Sequence, residues 1–214
     1  MRAPLAFSLL AFLVACHGGL PAPESATPRS PGEWEDLLRR TELHDSTLDF
    51  RAFRETYAAT SLYAPYGDRD RQARMEIDSL LGRGQNAEAF ARAQRALRAN
   101  PTDATIHLMA RYAAEQLADS AGERHHVWMA RGLFESILRT GSGTTAAPYV
   151  VISVDEEYDL ARYLGLRRGG SQALTECNGH PCDLVTFKSR AGADTTLAFD
   201  ITLPYHALER TIRR

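Results

Sequence analysis

Lysine is almost missing from this chain. Against 24 arginines there is one lysine, Lys188. That excludes the phosphate-cradling lysine of a P-loop and leaves almost no choice of Schiff-base amine. An excess of positive charge is missing as well. With 25 basic and 27 acidic residues the net charge is −2, so nothing advertises nucleic acid or an anionic membrane surface. The arginines form no run, and their abundance reads as composition rather than as a binding motif. No apolar stretch reaches the ~18 residues of a spanning helix. The H-E-x-x-H spacing of a zinc protease and the G-x-S-x-G of a nucleophile elbow are both absent, and Gly141-Ser142-Gly143-Thr144-Thr145 has neither the lysine nor the spacing of a P-loop. What remains is a chain of 214 residues, 44% apolar and 24% charged. It is globular in composition and long enough for one generous domain or two small ones.

The first residues carry the most specific signal. Arg2 precedes Leu5–Ala15 (LAFSLLAFLVA), an apolar run broken only by Ser8. A basic start, an apolar run of this length and a small residue at its end make a secretory signal. The run closes as Leu13-Val14-Ala15-Cys16, a bacterial lipobox pattern. It implies cleavage before Cys16, diacylglycerol on the thiol and acylation of the new amine. Several acyl chains, at about 0.8 kcal/mol per buried CH₂, anchor stably where one does not. Residues 17–32 (HGGLPAPESATPRSPG) hold four of the ten prolines and three glycines. Such a segment buries nothing and reads as a tether, reaching on the order of 50 Å in polyproline II geometry.

From Ser30 onward the spacing turns helical. Ser30 and Glu33, with Pro31 between, form a capping box, and Trp34, Leu37 and Leu38 share one face. Phe50, Phe53 and Tyr57 mark a second helix, stopped by Leu62-Tyr63-Ala64-Pro65-Tyr66-Gly67. A third helix over about 69–82 shows Ala73, Ile77, Leu80 and Leu81. The fourth, over about 86–99, turns Ala89, Ala93, Ala96 and Leu97 inward. Two more follow, carrying Ile106, Met109, Ala113 and Leu117, then Val127, Ala130, Phe134, Ile137 and Leu138. Gly84, Ala89, Ala96 and Pro101 are spaced as in the second half of a tetratricopeptide repeat. A degraded copy, Glu123, Val127 and Ala130, lies 34 residues on. Two readings stay open, a repeat remnant and a plain antiparallel helical hairpin.

After Gly141-Ser142-Gly143, read as a flexible joint, β-branched residues take over. Pro148–Val154 (PYVVISV) predicts a strand and Asp155 caps a short helix ending at Leu164-Gly165. Gln172–Glu176, Leu184–Phe187 and Thr195–Ile201 predict three more strands. In the last, Leu197, Phe199 and Ile201 alternate with Thr196, Ala198 and Asp200. Pro204 opens a closing helix with Leu208 and Ile212. The fold class is α+β: antiparallel helical hairpins, tetratricopeptide-like, followed by a small, mostly antiparallel sheet with a short helix and a C-terminal helix. The plan is a signal peptide at 1–15, a lipidated cysteine and tether at 16–32, a helical region at 33–140, and a small α+β region at 141–214 packed on the helices.

Several of these residues come in recognisable groups: Leu62-Tyr63-x-Pro65-Tyr66-Gly67, Ser142-Gly143 before a strand, Ile152-Ser153-x-x-Glu156-Glu157-Tyr158, Asn178-Gly179-His180-x-x-Asp183 and Phe199-Asp200-Ile201. Together, and in this order from about residue 47 to the end, they resemble a bacterial envelope family, domain-of-unknown-function family 4919. One departure is Cys182, where the family pattern has tyrosine. The resemblance implies a secreted or lipid-anchored protein of helices plus sheet, and it implies no activity.

For chemistry the residues offer little. Glu156 and Glu157 diverge by about 100° on a helix and read as compensating its dipole. Cys177, His180 and Cys182 supply three potential ligands with no matching pair elsewhere, so no metal site and no cofactor is expected. Cys177 and Cys182 lie on opposite sides of a natural hairpin loop. An exported protein meets an oxidising compartment, so these two are expected to form a disulfide. His107 reads as a packed core histidine, and His125-His126 lie on a helix. The expected function is a lipid-anchored envelope module that binds a protein or peptide, with the membrane as its other partner and no nucleic acid. The alternative is a hydrolase-type enzyme that gathers His107, Glu157, Asp183 and Asp200 in a cleft at the joint between helices and sheet.

Overall fold

The computed structural model describes residues 32–213. The leader, Cys16, Ser30, Pro31 and the tether through residue 31 lie outside the described residues. Eight helices and four strands follow one another: α1 (Glu33–Glu42), α2 (Phe50–Ala58), α3 (Asp68–Gly82), α4 (Asn86–Ala99), α5 (Ala104–Gln116), α6 (Ser120–Leu138), β1 (Tyr149–Val150), α7 (Val154–Tyr163), β2 (Arg167–Cys177), β3 (His180–Lys188), β4 (Asp194–Asp200) and α8 (Thr202–Ile212). The α+β class stands. No described helix is long and apolar enough to cross a membrane.

Polar side chains cap α2, α5 and α6. The carboxylates of Asp49, Asp103 and Asp119 accept from backbone N–H groups in the first turns of α2, α5 and α6, satisfying donors that a helix start leaves unpaired. At α1 the structure places Gly32, with φ 89, at the cap, and Glu33 is the first helical residue rather than the third. Along α3, α4 and α5 the buried residues are small: Ala73, Ala89, Ala93, Ala96, Ala110 and Ala113 around Ile77, Leu97 and Ile106. Alanine at these contacts lets consecutive helices approach closely. Val127 and Leu117, expected inside, are about two-fifths exposed. His126 takes the inward position beside Val127, and Leu117 sits at the cap beyond the last turn of α5.

The sheet order is β1-β4-β3-β2, with β1 parallel to β4 and the other pairs antiparallel. A second core joins it to the helices: Leu37, Phe53, Leu133 and Phe134 pack with Leu160, Val185, Phe187, Leu197 and Phe199. The two halves therefore share one interior. The predicted strand over 148–154 shrinks to Tyr149–Val150. The Ile152 amide leaves the ladder to donate to the Glu156 carboxylate at 2.8 Å. Ser153, not Asp155, caps α7 through the Glu156 amide. Strand β2 is longer than predicted, beginning at Arg167, with a register shift between Arg168 and Gln172 that absorbs Gly169-Gly170. Helix α8 buries Pro204 in its first turn, and Leu208 and Ile212 point outward, Ile212 at 74% exposed.

Gly141–Gly143 is an ordered turn rather than a flexible joint. The amides of Ser142 and Gly143 both donate to the Ala147 carbonyl, and the Gly143 carbonyl accepts from Ala198 of β4. Gly143 has φ 72, and a Cβ on Gly141 would lie 2.3 Å from the Pro148 carbonyl oxygen.

The disulfide between Cys177 and Cys182 is present, with Cα atoms 5.5 Å apart. The cysteines are not opposite each other. Asn178-Gly179, both at positive φ, make a two-residue turn, so Cys177 faces His180 and Cys182 faces Thr175. The bond crosses the ladder diagonally. Because it closes so short a loop, replacing both cysteines by serine is expected to lower stability by only about 2 kcal/mol. Denaturant midpoints of the two proteins measure this, and thiol titration of the unreduced wild type should find neither Cys177 nor Cys182 reactive.

Candidate functional site

The segments between helices and sheet meet around the start of α7. Arg54, on α2, is 1% exposed. Its guanidinium grips the Glu156 carboxylate with two nitrogens, at 2.9 and 2.5 Å, and donates to the Val150 carbonyl at 3.1 Å. Glu156 in turn holds the Ile152 amide, whose carbonyl accepts from the Tyr63 hydroxyl. Four segments are thereby fixed to one another. Nearby, Arg74 of α3 bridges Asp103 of α5 and Asp159 of α7 at 2.9 and 2.8 Å. Burial pushes the Asp103 carboxyl up to about 7, with Arg74 opposing. The enclosed cavity between these groups, lined by Tyr63, Asp70, Arg74, Asn100, Asp103 and Glu156 among others, has a volume of about 40 Å³. That admits a water or two and no substrate.

The next residue after Glu156, Glu157, points the other way. It is 0% exposed, and neither carboxyl oxygen makes a hydrogen bond of ordinary geometry, although Asp183 lies close. Burial, then the neighbouring Asp183, pushes its pKa up to about 9, so it is neutral at neutral pH. Asp183 lies in register with Phe199 on the inner face of the sheet and accepts from the Gln172 amide at 2.6 Å. The Tyr158 hydroxyl donates to the side-chain carbonyl of Gln172, and burial, then the nearby Asp183 and Glu157, raises the phenol of Tyr66. Glu156 and Glu157 thus do more than compensate a helix dipole. As neighbours they diverge, one to Arg54 and the other to Asp183.

The four residues expected to share a cleft are split three ways. Glu157 and Asp183 meet. Asp200 pairs in register with Cys182, one residue from Asp183 along the strand and so on the opposite face of the sheet. There its carboxylate accepts from the Thr202 amide at the start of α8. His107 is buried on α5 against His126, with the two Nδ1 atoms 2.9 Å apart. Its Nε2 faces the Pro101 carbonyl at 3.1 Å. A carbonyl only accepts, so His107 carries its proton on Nε2. Its Nδ1 then accepts from His126, whose Nε2 accepts from Gln94. Both rings are neutral, and burial pushes them down to about 3 and 4. The expectation of a packed core histidine holds for His107.

Sequence reasoning missed Arg54, Arg74, Gln172 and the histidine group. Arg54 alone left a local trace, since it stands four residues after Phe50 and three before Tyr57 on an apolar face. His44, at φ 52 past the end of α1, lies 2.6 Å from Nδ1 of His125 and stacks on its ring. The ligand triplet Cys177, His180, Cys182 does not exist as such, because both sulfurs are in the disulfide. Among the described residues no group of three or more His, Cys, Asp or Glu gathers to hold a metal ion.

The recognisable groups of the sequence therefore converge. Tyr63 and Tyr66, Ile152 through Tyr158, and Asp183 are in contact or electrostatic reach around α7, with Phe199 beside them. No curated protein and no solved structure matches the chain. A family described as Domain of unknown function (DUF4919) matches over residues 29–210, starting earlier than the motifs indicated. The chain belongs to this domain-of-unknown-function family.

Proposed function

We propose that the protein is a lipid-anchored module of the bacterial cell envelope that binds another protein or peptide without turnover. The observation that carries this reading is where the titratable groups go. Glu157 is sealed under the sheet, Asp200 is held by the Thr202 amide, and His107 is committed to Pro101 and His126. The cavity between Arg74, Asp103 and Glu156 is far below the ~300 Å³ at which small-molecule sites begin. The larger recesses are open grooves, such as that between the 62–67 loop and α8, where Tyr63, Tyr66, Leu203 and Arg210 offer aromatic, apolar and basic contacts. Open amphipathic surface suits a macromolecular partner. The lipobox at Cys16 and the tether support attachment at a membrane with reach toward that partner.

Chemistry at Glu157–Asp183 is the competing reading, and one observation favours it: a neutral buried acid beside a second carboxyl is an arrangement that acid–base enzymes use. The anchor is tested by growing cells with radiolabelled palmitate. The wild type is expected to take up label and fractionate with membranes, and Cys16→Ala to do neither. An unlabelled wild type overturns the anchored reading.

A further inference from the structure

Arginines that form no run in sequence are gathered by the fold. Arg71 of α3, Arg162 of α7 and Arg167 and Arg168 of β2 line one open groove, together with Arg74. Two carboxylates, Asp155 and Asp159, line it with them. Asp159 is already held by Arg74 at 2.8 Å and Arg162 at 3.0 Å. Arg71 has only an exposed contact with Asp68 at 3.4 Å, which contributes little. Among the described residues Arg167 has no carboxylate partner, and Arg168 lies over the Tyr158 ring, 4.8 Å from its centroid, with no carboxylate on it. Arg74 is also taken up by Asp103, which leaves Arg71, Arg162, Arg167 and Arg168 facing Asp155 and the shared Asp159, a basic groove on a chain whose net charge is −2.

The same groove runs beside an unpaired strand. In the order β1-β4-β3-β2, strand β2 pairs only with β3. Arg167 through Glu176 are all exposed, and the strand contains no proline. Natural edges of this length are usually shortened or blocked, since their free N–H and C=O groups accept a further strand. Here the register shift interrupts the ladder over residues 169–171, and Gln172 through Cys177 beyond it pair continuously with β3 on one side.

We propose that β2 and its arginine groove bind an extended acidic peptide segment of a partner protein, added as a fifth strand. The inference rests on the binding-module reading and names the partner's chemistry. The free ladder supplies backbone hydrogen bonds, and the arginines select the side chains. Consecutive strand residues point to opposite faces, so glutamates on one face of the added strand meet Arg168 and those on the other meet Arg167.

The probe is a fluorescein-labelled peptide repeating Glu-Glu-Thr-Thr, which places glutamates on both faces of a strand, titrated with the folded protein and read by anisotropy. Saturable binding that weakens as salt rises is expected. Arg167→Glu/Arg168→Glu should weaken it by about tenfold or more. Arg167→Ala, which removes no observed contact, should weaken it by a smaller factor and guards against a misfolded double variant. The same peptide N-methylated at every central residue should lose binding, because neither of its edges can then donate to a strand. Equal binding of the N-methylated peptide overturns strand addition. Equal binding by the double variant, or displacement by inorganic phosphate alone, overturns the peptide site. If the protein captures a partner in its own envelope and binds no acidic peptide, this inference fails and the module reading stands. If it captures nothing, the module reading itself fails.

Discussion

Arg54→Ala is expected to destabilise the fold by about 3–5 kcal/mol, a large share of the 5–15 kcal/mol that such domains possess. The guanidinium is 1% exposed and touches groups 82 to 102 residues away: Ser136 of α6, the Val150 carbonyl and Glu156 of α7. Truncation leaves Glu156, itself only 13% exposed, as an unpaired charge, and that penalty exceeds the net worth of the pair. The signature lies in the double variant. Arg54→Met/Glu156→Gln removes both charges at near-constant volume and should recover part of what Arg54→Met alone loses. Lysine at position 54 should restore the charge but not the two-point grip. Urea midpoints of the wild type, these variants and Glu156→Gln alone measure this. Additive losses in the double variant would show that the two residues are not coupled in the folded state.

The second large effect concerns pH. Glu157 titrates near 4.5 in an unfolded chain and at about 9 in the fold. Between those values the unfolded state has released a proton that the native state keeps, so stability falls as pH rises. The buried Asp103 acts in the same sense up to about 7. His107 and His126 act oppositely. Their native values are about 3 and 4 against an ordinary 6.5. Below 6.5 the unfolded chain takes up protons that the native rings refuse, and stability falls with falling pH. The wild type should therefore be most stable on a plateau between about pH 4.5 and 6.5, with losses on both sides. Glu157→Gln keeps the shape and cannot ionise. It should match the wild type near pH 4.5 and exceed it by about 2–4 kcal/mol at pH 8. Melting curves across this range measure it. Parallel profiles for the two proteins would place the Glu157 proton elsewhere.

What could be read along the chain was local. The apolar spacing and the Asn100-Pro101 stop located α4 at Asn86–Ala99, because a helix repeats its buried face every few residues. The disulfide was legible for the same reason, although the turn type, and with it the diagonal pairing, was not. Strand β2 left a weak trace. As an exposed edge with Gly169-Gly170 inside it, it has no buried face to impose alternation. The site was legible by half. Glu157 and Asp183 were singled out, and the fold does bring them together. His107 and Asp200 were grouped with them because each is a titratable residue, yet Asp200 stands on the other sheet face and His107 in another helix pair. Arg54 and Arg74 find partners 102 and 29 residues away, and no local pattern announces such partners.

The proposed role is binding by an anchored body whose buried acids are structural. Site-specific photocrosslinking of the full anchored chain in its own envelope tests it, with the crosslinker at Tyr66 in the 62–67 groove or at Arg167 on β2, in the wild type and in Glu157→Gln/Asp183→Asn. The account predicts a discrete adduct with one partner from at least one position, retained in the double variant. Absence of any adduct contradicts it. So does a partner bound unchanged and released unmodified only when Glu157 and Asp183 are replaced, because that result would make the two acids catalytic.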